Sequence, residues 1–435
     1  MIFVYSEHIT ERFTYVCEFV FKIVLKQEYK IIDDINLADT DSAIISYSKD
    51  SSRGLHVYPY GLLSENGIRN LNLKTSKFKG LPIIFETGKS DLPFDIFSMV
   101  FYFISRYEEY LVFKSDEHQR FLAEESFAFK NGILQIPIVD KVIRIFENIL
   151  FEKYSQISFI KPEFLYQSTI DVDNAYHVKG KSFSRFLGAS IKNILNLDFK
   201  EFIRRISILF KLQKDSFDNY DEQIEISKKY NIPLTYFVLY SRIGKFDRSL
   251  PPKNYVFEKL IDKLYSSALF GIHPSYHSSD DKSLMKIEIS SIRSMNKNIT
   301  RSRQHFLRLK FPETFNALLE NEIFEDFSIG FSNCNGFRAG TAYPFYFFDL
   351  SKDLVTPLRL YPFHVMDSVF YDYQAKTFSE AWDEIKSIVD EIKVSGGTFI
   401  SVWHDRAFDE ISHPGWKDCY IKLHEYCVND TASGT

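Results

Sequence analysis

The stretch FLYQSTIDVDN, residues 164–174, decides how this chain is to be read: a β-like run, Phe164–Ile170, ends directly in Asp171-Val-Asp173-Asn174. Consecutive strand residues face opposite ways while i and i+2 share a face, so Asp171 and Asp173 look into one pocket as long as strand geometry persists. Another Asp-x-Asp, Asp39-Thr-Asp41, lies in a polar, loop-like stretch and reads as a turn. The run before the acids is therefore the informative part.

Working outward, short apolar runs recur at Leu234–Leu239, Ala268–Ile272, Phe327–Phe331, Leu358–Tyr361 and Thr398–Val402, each with a helical stretch after it. Strands alternating with helices predict parallel β/α units, whose chemistry sits at the carboxyl ends of strands. The residues found there are not random. His273-Pro-Ser-Tyr-His277 follows the Ala268–Ile272 run, Gly336-Phe-Arg338-Ala-Gly340-Thr341 lies beyond the Phe327 run, and His404-Asp405 follows the last.

With 11 histidines in the chain, a pair at i,i+4 arises by chance about 0.3 times, so spacing alone is weak evidence. The shared strand-end position of Asp173, His273 and His277 is what lifts them above it. Two neutral imidazoles and one carboxylate hold Zn²⁺ with one position open for water. Pro274 favours a helical turn with His273 at its mouth, which would bring His277, one turn on, to the same ion. Asp171 is left as a base for bound water, with Arg338 as the cation that keeps it ionised. His404, entering from the opposite wall, is placed to protonate a leaving group. Arg303 and His305 in RSRQHFLRL either reach the pocket as well or belong to a structural edge strand.

Composition narrows the class. A chain of 435 residues predicts two or three domains. Its hydrophobic share of 45% and charged share of 26% exclude a disordered chain. A net charge of −5 argues against a nucleic-acid-coating protein. Cys17, Cys334, Cys419 and Cys427 are scattered without a CxxC pair and read as reduced thiols. No positive n-region followed by a long apolar stretch opens the sequence, and no run of about 18 apolar residues occurs later, so a soluble cytoplasmic protein is expected.

Residues 1–155 read as a smaller α+β accessory domain with amphipathic segments at about 94–110 and 139–154. Arg106, Glu108 and Glu109 between them read as a solvated, ion-paired helix end. Residues 178–214 carry nine lysines and arginines against two acids, with apolar residues at helical spacing. Composition favours a helical cap with a solvated basic face; the other reading is an amphipathic surface for a membrane or an anionic or lipid-linked glycan.

The residues of the second half resemble the polysaccharide deacetylases with a NodB-like domain, carbohydrate esterase family 4, over about 160–430. STIDVDN is similar to the D-x-D variant of the first motif, which implies Asp171 as base and Asp173 as ligand. His273 to His277 resembles the second motif, with Pro274 in place of the usual hydroxyl residue. Arg338-Ala-Gly-Thr341 resembles part of the third, implying Arg338 as the residue that orients the base and the Thr341 N–H as oxyanion donor. Val402-Trp403-His404 resembles the fifth, implying His404 as acid and Val402, with Trp403 beside it, in the acyl pocket. Asp367 is the counterpart of the fourth motif as tuner of His404, with Asp405 as the alternative. PFDIFSMVFYFISRYEEY also resembles a region of unknown function that precedes this domain in some bacterial proteins.

The resemblance implies an α/β fold, a distorted (β/α)7-type barrel over 160–430 with a basic helical insertion at 178–215. It implies a hydrolase that uses a divalent metal, Zn²⁺ first and Co²⁺, Ni²⁺ or Fe²⁺ as alternatives, to remove N-acetyl or O-acetyl groups from an N-acetylated glycan or glycan precursor of the bacterial envelope. Two rival expectations are hydrolysis of other C–N bonds, as in small amides or cyclic imides, and a non-catalytic glycan binder on the same fold.

Overall fold

Alternation of short apolar runs with polar turns gives the first half its strands: β1 (Ile2–Ser6), β2 (Tyr29–Ile32), β3 (Ala43–Tyr47) and β4 (Leu55–Val57). In the computed structural model, which describes residues 1–39, 41–50, 53–88 and 90–429, these pair in the order β2-β1-β3-β4, all parallel. A short antiparallel pair, β5 (Ser76–Phe78) and β6 (Leu81–Ile83), follows. Residues 1–155, expected as an α+β domain, thus carry a four-stranded parallel sheet beside one antiparallel pair. Apolar runs mark strands but do not set their direction, which the connections decide.

The expected helix at 94–110 covers only Ile96–Ile104, capped by Asp95, whose side chain accepts from the Ser98 N–H. It stops because Arg106 takes a left-handed conformation with φ of 54°. That turn buries the ISRYEEY charges instead of exposing them. Arg106 pairs with Glu108 at 2.9 Å and Glu109 at 2.8 Å, and Arg338 joins Glu109 from the other half. The second expected helix runs Ile138–Lys153. One apolar core, from Phe97 and Phe146 through Ile170 to Phe345 and Phe399, runs through both halves of the chain.

The second half forms one sheet: β7 (Phe164–Val172), β8 (Leu234–Val238), β9 (Leu269–Ile272), β10 (Arg301–Ser302), β11 (Glu325–Asp326), β12 (Phe345–Asp349), β13 (Leu354–Leu360), β14 (Val365–Met366) and β15 (Gly397–His404). Its order is β12-β13-β11-β10-β9-β8-β7-β15-β14. Every neighbouring pair is parallel except β12 with β13. The interior strand β7 is buried on both faces over its last five residues, as a strand covered on both sides requires.

Among the described residues no ladder closes this sheet, so the expected barrel is a curled sheet with a seam. β13 and β14 lie far apart in the strand order yet are joined by residues 361–364 alone. Five Cα steps span at most about 18 Å, which forces the sheet to curve round. The Phe327–Phe331 run expected as a strand is irregular after Asp326. The Phe363 ring packs on Gly330 where a Cβ would stand 2.2 Å from it, and loop bonds such as Phe363 N–H to the Ile329 carbonyl, 2.9 Å, bridge the seam.

Candidate metal centre

Asp171, Asp173, His273, His305 and His404 gather at the carboxyl ends of β7, β9, β10 and β15, where a cleft of about 340 Å³ opens. β7 carries Asp171 and Asp173 into it, as their i,i+2 spacing predicts. The register of β15 on β7 sets His404 opposite Asp171. β9 ends at Ile272, so His273 is the first residue into the cleft, and the end of β10 delivers Gln304 and His305 in the same way, with Arg303 buried behind Asp171.

Asp173, His273 and His305 form the centre: one ligand atom of each lies within 4.8 Å of the others. Nε2 of His273 is 3.5 Å, and Nε2 of His305 3.7 Å, from Asp173 Oδ1. That oxygen is buried and accepts no hydrogen bond. A buried carboxylate oxygen left without a partner costs free energy, and a cation facing it removes the cost. Both imidazoles are fixed from behind, since His273 Nδ1 meets the Arg303 carbonyl at 2.5 Å and His305 Nδ1 meets Asp247 Oδ1 at 2.8 Å. Such partners orient a metal-binding histidine. Burial, with His305 beside it, pushes His273 down to about 3, so it is a neutral donor. Burial also works against the charge on Asp247, but the hydrogen bond from His305 holds its carboxylate below the ordinary range. A set of two nitrogens and one oxygen with an open side fits a borderline divalent ion such as Zn²⁺.

His277 is not part of this set. It is exposed, on the short turn Tyr276–Ser279. The expectation that it faces His273 needed a helical turn from position 273, but Ser275 is extended, with ψ of 167°, and the turn begins after it. His305 takes its place, and the Pro274 carbonyl accepts the His305 N–H at 3.1 Å.

Arg338 is displaced in the same way. Its guanidinium is buried against Glu109 and the Gly330 carbonyl. The cation beside Asp171 is Arg303, whose Nη1 donates to Asp171 Oδ1 and to Thr169 Oγ1, each at 2.8 Å. Thr341 lies outside the cleft, where its hydroxyl donates to Asp140 at 2.5 Å. Val402 sits beneath the site in an apolar layer with Leu307 and Met366. Trp403 points away, as alternation along β15 requires, and packs on Phe408, Trp416 and Tyr420.

Asp367 is where it was expected. Its carboxylate accepts from the His404 backbone N–H at 2.8 Å and meets His404 Nδ1 at 2.6 Å. Burial opposes charge on the imidazole, but the attraction and hydrogen bond of Asp367, with Asp173 and Asp171 adding to them, carry it up to about 9. Nε2 of His404 faces the centre, 4.0 Å from Asp173 Oδ2. Asp405, the other reading for this role, instead accepts the Asn174 and Ala175 N–H groups and shapes the turn after Asp173.

Gln304 was not picked out from sequence. It is almost fully buried, yet it lines the cleft and neither end of its amide has a partner. A glutamine between two residues of an irregular strand end leaves no periodic signal. The cleft walls carry Lys245, Arg248, Arg406 and, from the first half, Arg120, which bonds the Phe306 carbonyl at 3.1 Å and the Tyr373 hydroxyl at 3.3 Å. Phe246, Phe306 and Tyr373 supply its apolar surface.

Residues 2–155 match the model of a family of unknown function (DUF7033). No curated protein matches the chain. Among solved structures, a protein from Mycobacterium smegmatis described as a candidate polysaccharide deacetylase aligns over 63% of this chain and 87% of its own, at 14% identity and a TM-score of 0.40. A 4-alpha-glucanotransferase from Thermococcus litoralis aligns over 63% of this chain and 38% of its own, at 10% identity and a TM-score of 0.34. Both likenesses are distant.

Proposed function

We propose that this protein is a metal-dependent hydrolase that removes an acyl group, acetyl in the first instance, from the amino or hydroxyl group of a sugar. The observation that carries the reading is the orphaned Asp173 Oδ1 facing two backed imidazoles, with a carboxylate held by Arg303 on one side and an imidazole held by Asp367 on the other.

Asp173, His273 and His305 would hold the ion, which when bound lowers the pKa of a water and polarises a carbonyl oxygen. Asp171, free of any ligand role, would take a proton from the water that adds to the acyl carbon. Arg303 holds Asp171 in place for this step. The Gln304 amide, with no protein partner, offers its N–H₂ to the developing negative oxygen, a role that side-chain amides fill well when already buried and aimed. His404, kept protonated by Asp367, gives its proton to the departing nitrogen or oxygen. Acetate and a free amine or hydroxyl result. The cations on the rim favour a sugar that carries a negative group, and Phe246, Phe306 and Tyr373 provide faces for its ring.

Metal analysis of the purified protein and acetate release from a panel of neutral and anionic N-acetylated sugars test this together. About one divalent ion per chain and acetate from at least one sugar are expected. A metal-free protein that binds sugars would favour the scaffold reading, and a metal-loaded one that cleaves only small amides or cyclic imides would move the substrate.

A further inference from the structure

The insertion after the first acidic motif forms two helices, Phe183–Leu195 and Phe199–Leu209, packed on each other across the turn 196–198. Their inner side is a small cluster of Val178, Phe186 and Ile208. Their outer side is bare. On the first helix Phe183, Leu187, Ile191 and Leu195 form one stripe, with exposures from 46% for Leu187 to 77% for Leu195. On the second, Phe199 and Ile203, four residues apart, are exposed as well, and past the helix end Phe210 and Leu212 are exposed at 68% and 80%. Soluble proteins rarely leave large apolar side chains exposed in such number on one short segment without a use.

The charge of the segment identifies the partner. Residues 178–214 hold nine lysines and arginines against two acids, in a chain whose net charge is −5. Lys192, Lys200 and Lys211 are exposed beside Ile191, Phe199 and Phe210, and none of the three has a carboxylate partner among the described residues. Long basic side chains next to an apolar stripe can reach phosphates while their stems stay in the apolar zone. Among the described residues no helix is long and apolar enough to cross a membrane, so any bilayer contact here is interfacial.

The hairpin is also fixed to the cleft. Arg204 binds Asp409, just beyond the His404 turn, through both carboxylate oxygens at 2.9 and 2.8 Å. Arg185 binds the Arg248 and Ser249 carbonyls at 2.6 and 3.0 Å, and Arg248 lines the cleft. Asp215 staples the two ends of the insertion by accepting the His177, Val178 and Lys179 N–H groups.

We propose that this hairpin is a docking element for an anionic lipid surface. Its apolar stripe lies in the headgroup and upper acyl zone, Lys192, Lys200 and Lys211 meet lipid phosphates, and the ties to Asp409 and Arg248 hold the cleft mouth beside that surface. The docking does not rest on the hydrolase reading. If that reading also holds, the substrate is a sugar presented at the membrane.

The test is co-sedimentation of the full chain with phosphatidylglycerol–phosphatidylcholine vesicles and with pure phosphatidylcholine vesicles. Salt-sensitive binding to the anionic vesicles alone is expected. A Leu187→Ser, Ile191→Ser, Leu195→Ser variant and a Lys192→Glu, Lys200→Glu, Lys211→Glu variant should each bind about ten-fold more weakly or less. Both should melt like the parent, because the altered side chains are exposed. As a readout independent of these variants, an environment-sensitive dye on Leu195→Cys should shift to the blue only with anionic vesicles. No binding by the parent, unchanged binding by both variants, or no dye shift would overturn the proposal. So would a dimer in sedimentation equilibrium that the leucine and isoleucine substitutions dissolve, since the stripe would then be a self-interface.

Discussion

Arg303 Nη1 lies 2.8 Å from Asp171 Oδ1, with the arginine completely buried and its side chain stacked over Phe237. The cation that serves Asp171 therefore comes from β10 and not from the Arg338 loop. Arg303→Lys keeps a charge but loses the planar fork, and kcat should fall by about ten-fold or more. Arg338→Lys should lower the melting temperature, through its pairing with Glu109, and leave kcat of the folded protein near the parent value. Steady-state kinetics beside thermal unfolding separates the two; equal kinetic losses would reinstate Arg338.

The metal set is tested by histidine substitution. His305→Ala and His273→Ala should abolish retention of a divalent ion through gel filtration, while His277→Ala, a surface change, should keep it and alter activity by no more than about two-fold. Asp247→Ala, which removes the carboxylate behind His305, should weaken metal affinity by about 10- to 100-fold. Retention of the ion by His305→Ala would remove this centre from the account.

His404 owes its proton to Asp367. With the imidazole raised to about 9, its donor form is filled below that pH and emptied above it, so the rate should fall on the alkaline side. Asp367→Asn should lower kcat by about 10²- to 10⁴-fold and move the imidazole titration, followed by NMR on metal-free protein, to lower pH. An unmoved titration would break the link.

Gln304 offers a test free of folding effects. Since its amide has no partner to lose, Gln304→Ala should cost little stability yet reduce kcat by about 10²- to 10³-fold, with KM changing less. A loss confined to KM would make it a binding group only.

Asp140 ties residues 1–155 to the rest, accepting from the Thr341 hydroxyl and the Ala342 N–H. Burial pushes it up to about 7 despite those bonds. An unfolded aspartate titrates near 4, so the stability it contributes is full below about 4 and is lost as pH rises to about 7, by at most about 4 kcal/mol. Asp140→Asn can turn its oxygen to Ala342 and its N–H₂ to Thr341. The variant should therefore melt with a flatter pH dependence than the parent between about pH 5 and pH 8; parallel curves would show that Asp140 stays ionised.

What the sequence determined by itself is a set of candidate side chains and their level in the fold. Asp171, Asp173, His273 and His404 could be placed at strand ends, and Asp367 beside His404, because the alternation of a strand and the β/α rhythm are local properties. Tertiary structure decided which of several like residues converge. His277 and His305 are both histidines near His273, and Arg338 and Arg303 both arginines beyond strands. The choice between them depends on where the helical turn starts after Ser275 and on β10 lying beside β9. The same holds for the burial of Glu109, the seam at Phe363, and the bare stripe on the insertion. In each case the outcome is set by packing between segments that are not neighbours in sequence, from 30 residues apart at His273 and Arg303 to 229 at Glu109 and Arg338, and a side chain's own neighbours in sequence carry no record of it.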